Sequence, residues 1–125
     1  MKTWTLDFSS NKSKDDIFNM IVDGSKSIET RPKIEYGVDL SKAKPGDFLL
    51  LKSLDTGRKV KKEIIYVHVY PTIEEMVKNE DVEKISPGIG SKENLVARYE
   101  HLKVIWKDRG YAELLASGMV AIGFK

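Results

Sequence analysis

Trp4, Leu6 and Phe8 alternate with polar residues at the start of the chain. That period of two is what a strand with one buried face produces. Ser13 then stands as the cap of a helix whose first turn carries Asp15 and Asp16, favourable against the helix dipole. Ile17, Phe18, Met20 and Ile21 supply its apolar stripe, and Gly24 is the natural stop. A second strand is expected from about Ser25 to Arg31, ended or edged by Pro32. Residues 33–46 show no clear periodicity, although Lys44-Pro45-Gly46-Asp47 is a strong turn signal.

Phe48 to Leu54 reads as an apolar-rich strand, and Asp55-Thr56-Gly57 suits a short hairpin loop. The returning strand is long, from Arg58 to Tyr70. In it Ile65, Val67 and Val69 share one expected face, and Ile64, Tyr66, His68 and Tyr70 the other. Its first half, Arg58 to Lys62, carries charge on both faces and is expected to protrude. Thr72 to Glu75 matches a capping box that starts a short helix with Ile73, Met76 and Val77 inward. Ser91 caps a further helix in which Leu95, Tyr99, Leu102 and Trp106 form an amphipathic stripe. Gly110 to Ser117 is less regular, and Met119 to Phe124 is a closing strand. About five strands broken by helices around one long hairpin predict a single α+β domain, residues 1–125, built on a curved sheet or barrel.

Composition narrows the chemistry. The chain of 125 residues is 41% hydrophobic and 32% charged, an ordinary globule somewhat rich in charge. A net charge of +2 confines any nucleic-acid surface to a local patch. Absence of cysteine excludes disulfides, thiolate metal sites and thiol nucleophiles, and two histidines, His68 and His101, make a multi-histidine zinc centre implausible. No apolar run approaches the roughly 20 residues that cross a bilayer. A cytoplasmic protein, a monomer or weak homodimer without cofactor or metal, is the expectation.

Within Gly24-Ser25-Lys26-Ser27-Ile28-Glu29-Thr30-Arg31, two cations and a carboxylate crowd into one strand. Alternation places Ser27, Glu29 and Arg31 on one face and Lys26, Ile28 and Thr30 on the other. Such a cluster suits an anionic or hydrogen-bond-rich ligand; the plain alternative is a surface ion-pair ladder worth about 0–1 kcal/mol.

The same stretch resembles the Gly-x-Lys-x-x-Glu-x-Arg signature of the ASCH family, a branch of the PUA-like superfamily. The resemblance continues, in order, at Lys44-Pro45-Gly46-Asp47, at Tyr70 to Met76, at Ile85-Ser86-Pro87-Gly88, at Ala97-Arg98-Tyr99 and at Gly118 to Ile122. It implies a PUA-like, partly open β-barrel of about five to six strands, with helices flanking a cleft lined by the signature residues. The implied ligand is RNA or a nucleotide-like molecule, held by Lys26, Glu29 and Arg31, with Tyr99 placed to bring its hydroxyl to the cleft.

Some members resemble hydrolases of N4-acetylcytidine, and others cut RNA, so Lys26 and Glu29 are also candidate catalytic groups. Where those hydrolases carry a threonine three residues after the lysine, this chain has Glu29, and Thr30 is expected on the opposite side of the strand. Binding by Lys26, Glu29 and Arg31 is therefore the first expectation. Hydrolysis of a modified nucleoside or of RNA is the second, and a protein-interaction module the third. Arg31→Ala and Lys26→Ala are expected to weaken binding with little change in melting temperature.

Four further features carry paired readings. The run from Arg58 to Lys62 is a solvated hairpin end or, through Arg58 and Lys61, a set of phosphate contacts with Tyr66 as a stacking face. Tyr99 and Trp106 are most simply core. Pro87-Gly88-Ile89-Gly90 is a loop able to offer backbone N–H groups to an anion, without the lysine and spacing of a P-loop. His68, on an apolar strand, reads as a satisfied core histidine with no partner visible in the sequence.

Overall fold

A computed structural model describes residues 1–8 and 16–125. The expected cap Ser13 and the acidic Asp15 lie outside the described residues. In chain order the elements are β1 (Thr3–Phe8), α1 (Asp16–Asp23), β2 (Ile28–Pro32), β3 (Ile34–Glu35), β4 (Val38–Asp39), β5 (Phe48–Ser53) and β6 (Lys59–Tyr70). There follow α2 (Ile73–Asn79), α3 (Val82–Ile85), α4 (Lys92–Ile105), α5 (Tyr111–Ala116) and β7 (Met119–Phe124). Five strands form one curled sheet in the order β1-β5-β6-β7-β2, a half-barrel flanked by helices. Only β1 and β5 run parallel; every other neighbouring pair in the sheet is antiparallel. The α+β class and the partly open barrel expected from the sequence are therefore present. No helix among the described residues is long and apolar enough to cross a membrane.

The sheet is buried on both faces around β7, which explains why Met119 to Phe124 is an unbroken apolar run. Val120, Ile122 and Phe124 join Trp4, Leu6, Leu49, Leu51 and Ile64 in a first core. Met119 and Ala121 face a second core with Met76, Leu95, Tyr99 and Leu115 from the helices. Caps hold those helices where the sequence places them: Thr72 Oγ1 accepts from the Glu75 N–H at 3.2 Å, and Ser91 Oγ from that of Asn94 at 3.1 Å. On α4 the stripe is buried at Leu95 and Tyr99 and only partly covered at Leu102 and Trp106.

Several expectations change. Residues 33–46 contain a small hairpin, β3 paired with β4, whose two-residue loop has Tyr36 and Gly37 both at positive φ (49° and 83°). That is the geometry of a type I′ turn, and Gly37 is its only strong sequence signal. Gly110 to Ser117 holds a short helix, α5. The Arg58 to Lys62 end does not protrude: Lys59 to Lys62 pair with β5, and Val60 packs on the first core. A β-bulge between Ile64 and Tyr66 inserts one residue, so Ile64 falls on the same face as Val67 and opposite Tyr66, His68 and Tyr70. Strict alternation had grouped Ile64 with the aromatic residues.

The Lys44 to Asp47 turn carries a structural carboxylate. Buried Asp47 accepts from the Lys2 N–H at 3.0 Å, the Trp4 indole N–H at 3.1 Å and the Lys44 N–H at 3.3 Å. The Lys2 N–H and then the Trp4 indole hold its pKa below the usual carboxylate range. A depressed native value means stability that is present above the unfolded carboxylate range and lost as pH falls through the native value. Asp47→Asn is accordingly expected to flatten the fall in melting temperature between about pH 7 and about pH 3. An unchanged slope would show that Asp47 does not contribute.

Candidate functional site

Gly24 closes α1 at φ 88°, and the Lys26 N–H donates back to Met20 O at 3.0 Å. The chain then enters β2 at Ile28, later than the sequence suggested, so Lys26 precedes the strand and escapes its alternation. Its side chain folds back onto the Glu29 side. Lys26 Nζ donates to Ile85 O at 2.6 Å and to Ile28 O at 2.8 Å, and lies 3.2 Å from Glu29 Oε1. Three acceptors match the three ammonium protons. α3 covers this side, since the Ser27 N–H also donates to Lys84 O at 3.0 Å.

Glu29 lies at the centre of the row. It accepts from the Thr30 N–H at 3.1 Å and from Arg31 Nε at 3.1 Å, in addition to pairing with Lys26. Arg31 continues the row, with Nη1 donating to Glu35 Oε1 at 3.2 Å and Nη2 to Asp7 O at 2.8 Å. Its guanidinium carbon sits 5.0 Å from the Phe8 ring centroid. β1 and β2 are the two edges of the sheet, so Arg31 spans the gap through which the half-barrel would close. Lys26 and Glu29 are each 5% exposed, while the Arg31 side chain is 17% exposed and reaches the rim. Burial pushes the Glu29 pKa up, but the charges of Lys26 and then Arg31 outweigh it and hold the carboxyl below its usual range. For Arg31 burial acts downward, and Glu29 with Glu35 reverses it, so the guanidinium stays firmly charged.

On the other face of β2, Thr30 Oγ1 is hydrogen-bonded to the hydroxyl of Tyr99, which α4 supplies. Thr30 and Glu29 thus point apart, as alternation requires. Burial raises the Tyr99 pKa, so its hydroxyl stays protonated. Lys26, Glu29 and Arg31 come together, and Tyr99 reaches the same strand from behind. Arg58 and Lys61 are not part of this row: Arg58 donates to Asn19 Oδ1 at 2.7 Å and lies over Phe18, and Lys61 lies over Phe48. Two shallow surface depressions, of ≈ 350 and ≈ 370 Å³, lie between α2 and α4 and beside Trp4; the motif residues line neither.

Two loops hold features the sequence hid. The Gly88 and Gly90 N–H groups do bind an anion, but it is the chain's own Glu83, at 3.0 and 2.9 Å. His68 has a partner after all: its Nδ1 lies 2.7 Å from Oε2 of Glu80, a buried carboxylate at the end of α2, while the imidazole is 51% exposed. Tyr66 and Tyr70 donate their hydroxyls to the same carboxylate. The only sequence signal for this group was three hydrogen-bonding aromatic residues at alternate positions of β6.

No family model matches the chain, and no curated protein matches it significantly. Solved structures do. The hypothetical protein PH0355 superposes with a TM-score of 0.66 at 26% identity, covering 98% of this chain and 97% of that one. Protein PF0455 from Pyrococcus furiosus gives 0.59 at 25% identity over 98% and 96%. Protein EF3133 from Enterococcus faecalis V583 (DUF984) gives 0.57 at 15% identity over 100% and 80%, a likeness of fold alone. The chain is similar in fold and extent to proteins of undescribed activity.

Proposed function

We propose that this chain is an ASCH-type domain that binds RNA or a nucleotide-like ligand at the Arg31 end of the Lys26–Glu29–Arg31 row. The supporting observation is the state of the Arg31 guanidinium. Of its five N–H donors, Nε, one on Nη1 and one on Nη2 have protein partners. Among the described residues no partner takes the second N–H of either terminal nitrogen, which leaves one on each to address an acceptor pair, either two phosphate oxygens or the oxygen and ring nitrogen of a base edge. Lys26 and Glu29 hold the guanidinium in place from below. Arg58 and Lys61 enter only as phosphate contacts of a longer strand.

Binding is favoured over hydrolysis because all three Lys26 ammonium protons have acceptors, and an ammonium without a free lone pair is no base. The test is a titration of single-stranded RNAs and of mononucleotides against the parent and Arg31→Lys. Lysine keeps the charge beside Glu29 but loses the planar fork. Losing hydrogen bonds to a charged donor, about 1.5–3 kcal/mol, predicts affinity at least about tenfold lower. One ammonium cannot reach Glu29, Glu35 and Asp7 O together, so the melting temperature falls as well and the titration is run where both proteins are folded. Equal affinity for parent and variant, or a parent that binds nothing on the panel, overturns the proposal.

A further inference from the structure

We propose that His68 and Glu80 form an oriented general-base site, separate from the Lys26–Glu29–Arg31 row, that activates water against an uncharged ester or amide. Glu80 is buried, its side chain 3% exposed, yet it carries a carboxylate, and three side chains of β6 converge on it. A carboxylate only accepts, so the His68 nitrogen facing it, Nδ1, carries the proton. That fixes the tautomer and leaves the lone pair on Nε2, at the half-exposed end of the ring.

The ring itself is clamped. Tyr66 stacks on it with centroids 4.3 Å apart, and Tyr70 meets it edge-on at 6.3 Å. Burial and then the bond to Glu80 keep both phenols protonated, so they donate to the carboxylate rather than compete with it. A network needed only to pin α2 to the sheet has no use for an exposed imidazole edge. An oriented base does.

The groups that face His68 are Glu80 from the end of α2 and Tyr66 and Tyr70 from its own strand; its partner on β7, Ala121, does not titrate. Asp81 adds a second negative charge beside Tyr66. With carboxylates as the nearby fixed charges, an uncharged substrate is admitted and an anionic one repelled. In the step, the water oxygen bonds the acyl carbon while Nε2 takes one of its protons. The tetrahedral intermediate then expels the alcohol or amine, to which the imidazolium returns that proton, so water is consumed and nothing is oxidised. His68 is the catalytic residue and Glu80 the positioning residue.

The experiment is hydrolysis of p-nitrophenyl acetate by the full chain. His68→Gln is expected to lower the rate at least about a hundredfold, the low end for removing a general base. His101→Gln, on an exposed position of α4, leaves it unchanged. Glu80→Gln puts an amide that can donate as well as accept against Nδ1, so the tautomer is no longer fixed and kcat falls while KM is kept, a split that a merely structural role does not produce. Should Glu80→Gln fail to fold, the ring 15N chemical shifts of His68 in the parent read its tautomer, and the proton is expected on Nδ1. A His68→Gln variant with the parent rate, an unchanged kcat in folded Glu80→Gln, or a His68 ring protonated on Nε2 instead of Nδ1 overturns the assignment.

Discussion

Lys26→Met is expected to destabilise the protein by about 3–5 kcal/mol, the cost of leaving a buried charge without its partner. Total stabilities of about 5–15 kcal/mol make that a large fraction, and the melting temperature falls accordingly. Methionine matches the length and removes the ammonium. Glu29 then keeps Arg31 and the Thr30 N–H but loses one of its two cations, and the carbonyls of Ile28 and Ile85 lose their donor. The sequence alone suggested that Lys26 could be truncated with little effect on stability; its burial at 5% exposure reverses that expectation. The effect also has a pH signature. Glu29 has a depressed native pKa, so its contribution is present above the unfolded carboxylate range and lost as pH falls through the native value. The deficit of Lys26→Met is therefore largest near neutrality and narrows in acid. Urea unfolding of parent and variant at several pH values measures it. A difference below about 0.5 kcal/mol, the range of ordinary surface substitutions, would place Lys26 outside the buried row.

That reversal shows where a sequence stops being readable. Period-two patterning located β1 and the returning strand β6, each with one face that must be apolar, while β5 and β7 were legible as apolar runs. Stop and cap signals at Gly24, Thr72 and Ser91 located the helix ends. The same rule misplaced Lys26, because β2 starts two residues after it and a long flexible side chain is then free to turn back. It misplaced Ile64 because a bulge inserts one residue and exchanges the faces, leaving no compositional mark. It passed over Glu80, whose importance depends on strand residues ten to fourteen positions earlier meeting the end of α2. The glycine loop was recognised as an anion cradle, but nothing local shows that Glu83, five residues before Gly88, fills it. Order and period are local properties; the partner of a polar group is a property of the closed chain.

Gly123→Ala is expected to destabilise the protein by about 1–3 kcal/mol, and Gly123→Val by more, against the sign that strand propensity alone predicts. Gly123 lies within β7, pairs with Tyr66 on β6 and with Ile28 on β2, and has no positive φ to explain the glycine. What explains it is space. A Cβ there would stand 2.1 Å from Tyr66 Cε2 and 2.5 Å from Cδ2 and Cζ, inside the ring's own contact surface. Tyr66 cannot yield cheaply, since its hydroxyl is bonded to Glu80 at 3.0 Å and its face is stacked on His68. The added methyl must therefore expel the ring from its seat, break the bond to the buried carboxylate and uncover the imidazole. Because the clash is with one side chain, it is reversible by a second substitution: Tyr66→Ala in the Gly123→Ala background should cost less than the sum of the single changes, a coupling that a double-mutant cycle isolates. Thermal unfolding of the four proteins gives the result. A Gly123→Ala variant as stable as the parent, or strict additivity with Tyr66→Ala, would mean that the ring is not held against β7 and that the carboxylate beneath it is not fixed by this packing.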